Sequence, residues 1–418
     1  MQKSVAVIGA GASGLMAAYH AGIQGAKVTL FDKNEKCGKK IYITGKGRCN
    51  ITNAVSIEEY LEKVVSNRRF LMKSIYNFSP MEVMQFLEEG GLALKVERGN
   101  RVFPLSDKAS DLIKCLEQYC RRAGVDLQLN TAIVDIRPVQ DKIKNFWQVV
   151  LASGAKIQFD AVIVATGGLS YPGTGSTGDG MHFAKKLGHT IIECRPALCG
   201  LNCKMDNLKS LQGLALKNVS LHAVYKNGKK ISSLFGEMLF THFGISGPIV
   251  LSMSSLLNRL DTSNIALFID LKPAMTIEEV DKRFLKEFTL GKNKKIETIL
   301  EYLLPKSLVP VFLQQVGIDA YIPTHSITKE QRKKLVYIMK NFDVQFLALR
   351  SIAESIVTAG GVAIQEIDPK SMQSKLHKNL FFCGEVLDVD CFTGGFNLQA
   401  AFATGKAAGW HSAINLKE

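Results

Sequence analysis

The chain contains no Cys-x-x-Cys pair. Its nine cysteines, Cys37, Cys49, Cys115, Cys120, Cys194, Cys199, Cys203, Cys383 and Cys391, are scattered and odd in number, which argues against a disulfide framework and for a reducing compartment. Cys194, Cys199 and Cys203 lack a fourth ligand at finger-like spacing; three buried thiols, and no metal, are expected there. Cys49 likewise has no neighbouring cysteine, which speaks against disulfide-reductase chemistry. Uninterrupted apolar runs are also missing. The stretch Val5 to Ile23 is broken by glycines and by His20, and no basic segment precedes it, so neither a signal peptide nor a membrane span is expected. A cytoplasmic protein follows. The most basic cluster, "KEQRKK" at residues 329–334, has no aromatic residue and offers bases nothing to stack on.

What is present is ordinary globular material: 418 residues, 46% hydrophobic and 22% charged, enough for two or three domains. The net charge is +14. Residues 191–350 hold 22 Lys and Arg against 14 Asp and Glu, a surplus that reads as a solvated face or as an attractor of anions.

The amino end runs strand, glycine turn, helix, strand. Val5 to Ile8 lead into Gly9-x-Gly11-x-x-Gly14, an alanine-rich helix and a second apolar run that ends at Asp32. This is the dinucleotide fingerprint in its required context: one glycine for the tight turn, one for close approach of a pyrophosphate, one for helix packing. The helix amino terminus then faces phosphate, and Asp32, 18 residues after Gly14, suits a ribose. An acid there leaves NAD or FAD. The chain continues not as a crossover helix but as the basic loop "DKNEKCGKKIYITGKGRCNITN". Gly45 and Gly47 let its backbone come close to a ligand, and Lys40, Lys46 and Arg48 can face phosphate or an electron-rich ring. A second glycine triplet at Gly173, Gly175 and Gly178 is separated from its strand and reads as a loop approaching the first cofactor site.

Helical patterns occupy residues 55–125, with Ser79 before Pro80 as an amino cap. Strands follow to residue 165. From 191 to 272 alternating segments with turns at Asn227-Gly228 and Gly244 to Pro248 predict an antiparallel, barrel-like unit; residues 273–343 read as short amphipathic helices. Strand, glycine turn and alanine-rich helix return after 351. The expected division is a domain built from 1–190 and 351–418 with an insert of 191–350.

The sets "VIGAGASGLMAA", "TGKGRCNITN", "RVFPLSDKASD", "ATGGLSYPGTGSTGDG", "FTHFGISGP", "TAGGV" and "CGEVLDVDCFTGGFNLQAAFATG" together resemble the YhiN-like family of bacterial flavoproteins, the group of the bile-acid reductase BaiN and aminoacetone oxidase. The resemblance covers nearly the whole chain. It implies an α/β fold: a Rossmann-like FAD domain of the glutathione and fumarate reductase type, with an inserted β-barrel and helical domain. It also implies that Gly9, Gly11, Ala12, Ser13 and Gly14 meet the FAD pyrophosphate and that Asp32 and Lys33 meet the adenosine ribose. By the same resemblance Gly45, Arg48, Cys49 and Asn50 lie on the loop passing diphosphate and flavin. Val134 matches the strand at the adenine, Thr166 and Gly167 follow the next strand, and Gly384 and Glu385 hold the ribityl chain. Phe396, Asn397 and Leu398 open a helix aimed at the flavin pyrimidine edge, where a helix amino terminus stabilises the reduced ring. Lys46 departs from the family pattern.

The substrate side is thinner. Tyr171, Gly244 to Pro248 and Thr358 to Gly361 can face the flavin. His242 is the titratable residue in its motif and suits proton donation after hydride transfer; on an apolar strand a packed histidine is the plainer reading. Arg101 can hold a carboxylate or carbonyl, or simply an ion pair at the surface. Non-covalent FAD is expected, since no histidine occurs between Asp32 and Asn53 to attach it. The favoured activity is an FAD-dependent oxidoreductase on a small-molecule substrate, fed by NADH or NADPH. An amine-type oxidase releasing hydrogen peroxide and a flavin-bearing RNA-modification factor are the alternatives. The residues favour a small molecule over a nucleic-acid or membrane partner and say nothing of oligomeric state.

Overall fold

The computed structural model describes residues 2–140, 145–205 and 207–414, the side chains of Lys46 and Asn145 excepted, so the expectation for Lys46 lies outside the described residues. The chain divides into two compact units, Met1–Ala197 with Ile352–Glu418, and Leu198–Ser351.

In the first unit β1 (Ser4–Ile8) and β2 (Lys27–Phe31) flank α1 (Ala12–Ile23). They are the centre of a parallel five-stranded sheet in the order Leu380–Phe382, Ala161–Val164, β1, β2, Asp126–Gln128. A parallel strand covered on both faces must be apolar throughout; Val5, Val7, Val162 and Ile163 have no exposed surface. The carboxy-terminal helix Phe396–Ile414 lies directly on α1. Glycine makes that possible, because a Cβ at Gly405 would collide with the Ser13 carbonyl and one at Gly409 with that of Ala17. The two chain ends thus close one domain.

The segment expected to be helical carries Ile57–Leu61, Arg68–Asn77, Pro80–Glu89 and Ala109–Arg122. Ser79 caps as expected: its Oγ accepts the Glu82 N–H at 3.3 Å and the Glu82 carboxylate accepts the Ser79 N–H at 2.7 Å. The helical pattern does not include the pair Leu94–Glu97 and Arg101–Pro104, which with Thr52–Asn53 makes a three-stranded antiparallel sheet. The domain boundary also moves. Ile191–Ala197, expected in the insert, belongs to the first unit because it pairs antiparallel with Val357–Val362.

The second unit has an antiparallel sheet of seven strands whose two edges are Phe342–Asp343 and Phe346–Leu349. Only Val344 and Gln345 separate those edges in sequence, so one stretch of chain joins both and the sheet curls into a barrel. Gln345 turns the corner with a φ of 47°. Helices Ile277–Leu290, Ile296–Leu300, Val309–Val316 and Lys329–Lys340 share its core through Phe284, Leu300, Phe312 and Leu335. No helix among the described residues is long and apolar enough to cross a membrane.

Candidate functional site

A cleft opens over the carboxyl ends of β1, β2 and Ala161–Val164. The end of the strands is where a doubly wound sheet binds ligands.

The glycine turn forms its floor. Gly9 has a φ of 104°, and a Cβ there would stand 2.5 Å from the Ala165 carbonyl oxygen; one at Gly14 would collide with the Gly9 carbonyl. Around a Cβ at Gly11 nothing lies within 4 Å. Gly9 and Gly14 therefore close the turn and Gly11 faces the open cleft. No side chain caps α1, which leaves the N–H groups of its first turn, from Ala12 onward, available to an anion.

Asp32 follows β2 directly and lines the cleft. Its carboxylate accepts the Ala10 N–H at 2.7 Å, the Asn34 N–H at 2.8 Å and the Asn34 side-chain amide at 2.9 Å. It fastens the glycine turn to the next loop; a carboxylate has about four acceptor directions, so these three bonds leave one open. Lys33 bonds Asp179 at 2.6 Å, tying β2 to the second glycine triplet, whose Gly175 also lines the cleft. Thr166 and Gly167 form the facing wall. The Thr166 hydroxyl and the Asn50 amide oxygen are buried without a hydrogen-bond partner among the described residues; the Thr166 oxygen packs against Gly180 rather than opening to the cleft.

Glu385 lines the same cleft, held by Gly384 at a φ of 75°. It accepts from Lys40 Nζ at 2.7 and 3.0 Å, from the Ser170 hydroxyl at 2.8 Å and from the Thr358 N–H at 2.8 Å. Lys40 therefore neutralises a carboxylate rather than standing ready for phosphate. Of this cluster the sequence pointed to Glu385, Lys40 and Thr358 separately and missed Ser170, as it missed Asn34, Thr131 and Ser176 in the lining. Nothing in the sequence spacing of these residues announces that they meet.

Several expected site residues face elsewhere. Arg48 Nε donates to Asp107 at 2.7 Å, its Nη2 pairs with Glu97, and its guanidinium lies 4.3 Å from the Phe103 ring centre. Lys95 joins the network at 2.6 Å from Asp107. Arg48 holds Glu97 below the usual carboxylate range, and Lys95 with Arg48 does the same for Asp107. Arg48 is thus a clamp between its loop and the three-stranded sheet. Gly45 starts the turn at a φ of 56°, Cys49 follows it at 58°, and burial pushes the Cys49 thiol up to about 12. Val134 is half-exposed while Ile133 and Thr131 line the cleft, because alternate strand residues face opposite sides. Phe396 is buried and its carbonyl accepts the Tyr60 hydroxyl at 2.8 Å. The Asn397 amide bonds the backbone of Cys391 and Phe392 and so secures the loop before its helix; Leu398 packs against the core.

The substrate-side expectations fare similarly. Arg101 is exposed, its Nε donating to the Arg98 carbonyl at 3.0 Å. Tyr171 opens a turn at a φ of 52° outside the cleft lining. His242 belongs to the second unit and sits in an exposed turn, not on an apolar strand, 5.1 Å from the Phe243 ring. The three thiols also differ: Cys199 and Cys203 are buried, Cys194 only partly.

A parallel sheet with a glycine turn feeding a helix, and a cleft lined by both chain ends, defines a Rossmann-type dinucleotide-binding protein. Comparison narrows that class. The model of the HI0933-like protein Rossmann domain matches residues 3–411, and the chain belongs to that family, a family of FAD-dependent oxidoreductases. The ribosomal RNA dihydrouridine synthase of Haemophilus influenzae is 31% identical over 406 residues, covering 96% of each chain. The 3-dehydro-bile acid delta(4,6)-reductase of Clostridium scindens is 30% identical over 410 residues, 97% of this chain and 98% of the relative. Among solved structures, a flavocytochrome c3 fumarate reductase in its open conformation has a TM-score of 0.53 at 18% identity, covering 100% of this chain and 79% of the other. It supports the fold.

Proposed function

We propose that the protein is an FAD-dependent reductase that saturates a carbon–carbon double bond conjugated with a carbonyl, hydride going to one carbon and a proton from water to the other, and that NADH or NADPH supplies the hydride. The observation that carries this reading is the cleft, with Gly11 open to it and an uncapped α1 at its floor. The two relatives at 30% identity or more add the bond type. Dihydrouridine arises from uridine, and a delta(4,6)-reductase product from its dienone, by the same saturation of a conjugated double bond. Bound FAD would supply hydride transfer.

The chain's own residues would bind and orient. The α1 amino terminus with Gly11, Ala12 and Ser13 would hold the pyrophosphate, Asp32 the adenosine ribose, and Glu385 the ribityl hydroxyls. Backbone donors at the start of Phe396–Ile414, spaced by Gly394 and Gly395, would face the pyrimidine edge of the ring. The second glycine triplet has no strand running directly into it and Gly178 itself precedes the helix Asp179–Lys186, so it supports no second nucleotide site. Donor and substrate would then take turns at one flavin face.

Anaerobic mixing of the purified protein with NADH and with NADPH tests this. Bleaching of the flavin by donor alone, recovery on adding a conjugated enone or a uridine-containing RNA, and parallel lines in double-reciprocal plots are expected. Intersecting lines would defeat the shared face. Bleaching by an amine, with hydrogen peroxide formed on admitting air, would move the reading to an oxidase.

A further inference from the structure

We propose that the helical part of the second unit carries a docking platform for single-stranded RNA, built by Lys292, Lys294, Lys295, Tyr302 and Tyr321. The proposal rests on the reductase reading only in that it supplies the carrier of a conjugated double bond, the uracil ring.

The platform has a rigid base. Residues 291–297 and 320–325 run antiparallel: the Ile296 N–H donates to the Ile322 carbonyl at 2.9 Å and the Thr324 N–H to the Lys294 carbonyl at 3.0 Å. Thr324 is buried and its hydroxyl donates to the Gly291 carbonyl at 2.8 Å. His325 closes the end of the pair, with Nδ1 2.8 Å from the Lys292 carbonyl oxygen. On this base stand two tyrosines that bury little: Tyr302 is 59% and Tyr321 66% exposed. Each has an ammonium beside its ring. Lys295 Nζ lies 4.4 Å from the Tyr321 centroid; Lys294 Nζ lies 5.5 Å from that of Tyr302 and donates to its hydroxyl at 3.3 Å.

Three carboxylates lie close in sequence, Glu297, Glu301 and Asp319. Asp319 accepts the Tyr321 N–H at 3.0 Å and Glu301 pairs with Lys306 at 3.8 Å. Among the described residues no carboxylate forms an ion pair with Lys292, Lys294 or Lys295. The whole unit, residues 198–351, holds 21 Lys and Arg against 13 Asp and Glu. Exposed rings interleaved with unpaired ammonium groups are what a single strand asks for, since its bases present π-faces and its phosphates alternate with them. A duplex hides those faces. An acidic protein partner would engage the lysines and leave the rings unused, and a membrane surface would want deeper apolar groups than two tyrosines. The sequence alone pointed the other way, because the aromatic-free cluster at residues 329–334 is the densest basic run, and the tyrosines that matter are brought to Lys294 and Lys295 by folding.

Fluorescence anisotropy of FAD-loaded protein with a labelled oligouridylate, across a potassium chloride series, tests the platform. Tyr302→Ala/Tyr321→Ala is expected to weaken binding about tenfold or more, given that one stacked base contributes on the order of 1–3 kcal/mol. Tyr321→Phe, which keeps the ring face, should bind like the wild type. Lys294→Ala/Lys295→Ala should flatten the plot of log K against log salt by about 1.4, two single-strand phosphate contacts. Reduction of the flavin by nicotinamide and turnover of a small enone should be unchanged in every variant. Wild-type-like binding by both double variants would overturn the platform while leaving RNA as a substrate. Equal competition by heparin, with the tyrosine variant unaffected, would also overturn it, as attraction of any polyanion. No binding of the oligouridylate by the wild type would overturn it as well; bleaching and enone turnover then decide the reductase reading separately.

Discussion

Two basic stretches, "GKGR" at residues 45–48 and "GKNKK" at residues 291–295, read alike in sequence and end in opposite surroundings. In the first, the cation that the structure describes, Arg48, is surrounded by Glu97 and Asp107 and rests on Phe103. Its loop neighbour Lys40 is likewise closed by Glu385. In the second, Lys294 and Lys295 have tyrosine rings and, among the described residues, no carboxylate in an ion pair. The first set of charges holds the protein's own loops in place, and the second is left for something outside. What separates them is not the basic residue but whether strands distant in sequence deliver acids to it: Glu97 ends one strand of the pair and Asp107 follows the other, and among the described residues no carboxylate is paired with Lys292, Lys294 or Lys295.

The comparison can be broken at its strongest pair first. Glu385→Ala would leave Lys40, the Ser170 hydroxyl and the Thr358 N–H without their common acceptor, at a cost of about 2–3 kcal/mol. Urea unfolding of the variant, beside Lys40→Met and the double variant, measures the coupling. A cost below about 0.5 kcal/mol would place the pair with ordinary surface ion pairs.

A third kind of basic residue sharpens the contrast. His20 has neither acid nor solvent: it is buried among Tyr19, Phe78 and Phe86, both ring nitrogens lack partners, and burial, with the charge of Lys406, lowers its pKa to about 3. The unfolded chain takes up this proton near pH 6.5 and the folded one does not. Stability from this site is therefore full above pH 6.5 and falls as pH drops from there towards 3, by about 2 kcal/mol at pH 5. His20→Leu should remove that part of the acid sensitivity. Equal losses in wild type and variant between pH 7.5 and 5 would show that the ring finds a partner.

Arg48→Ala should come next. With the clamp gone the loop from Gly45 to Asn50 loses its tie to the three-stranded sheet, and FAD should bind about tenfold more weakly, comparable to the loss of one well-placed contact. Because Glu97 and Asp107 are held low, the clamp should persist above the ordinary carboxylate pKa and open only as pH falls through their depressed values. Titration of apoprotein with FAD, wild type against variant, reads the effect; unchanged affinity would mean that the loop stands without Arg48. The smallest effect belongs to the open set. Lys294→Ala and Lys295→Ala should each change stability by less than about 0.5 kcal/mol, and a larger loss in thermal unfolding would mean that these lysines hold the fold after all.

The spacing of Gly9, Gly11 and Gly14, the apolar strands about them and the acid at Asp32 determined the Rossmann class, because backbone geometry at a tight turn and burial on both faces of a sheet leave few residues that work. The alanine-rich ends were legible for the same reason: the last helix lies on α1 where a side chain at Gly405 or Gly409 would collide with the α1 backbone. Local capping at Ser79 needed nothing beyond three neighbouring residues. What the tertiary structure alone decided is which charged and polar side chains meet. Lys40 with Glu385 and Ser170, Arg48 with Glu97 and Asp107, and Lys295 with Tyr321 join positions that no periodicity connects. A long flexible side chain is compatible with solvent, an acid, a ring or a phosphate at nearly equal intrinsic cost, so the surroundings brought by folding choose among them.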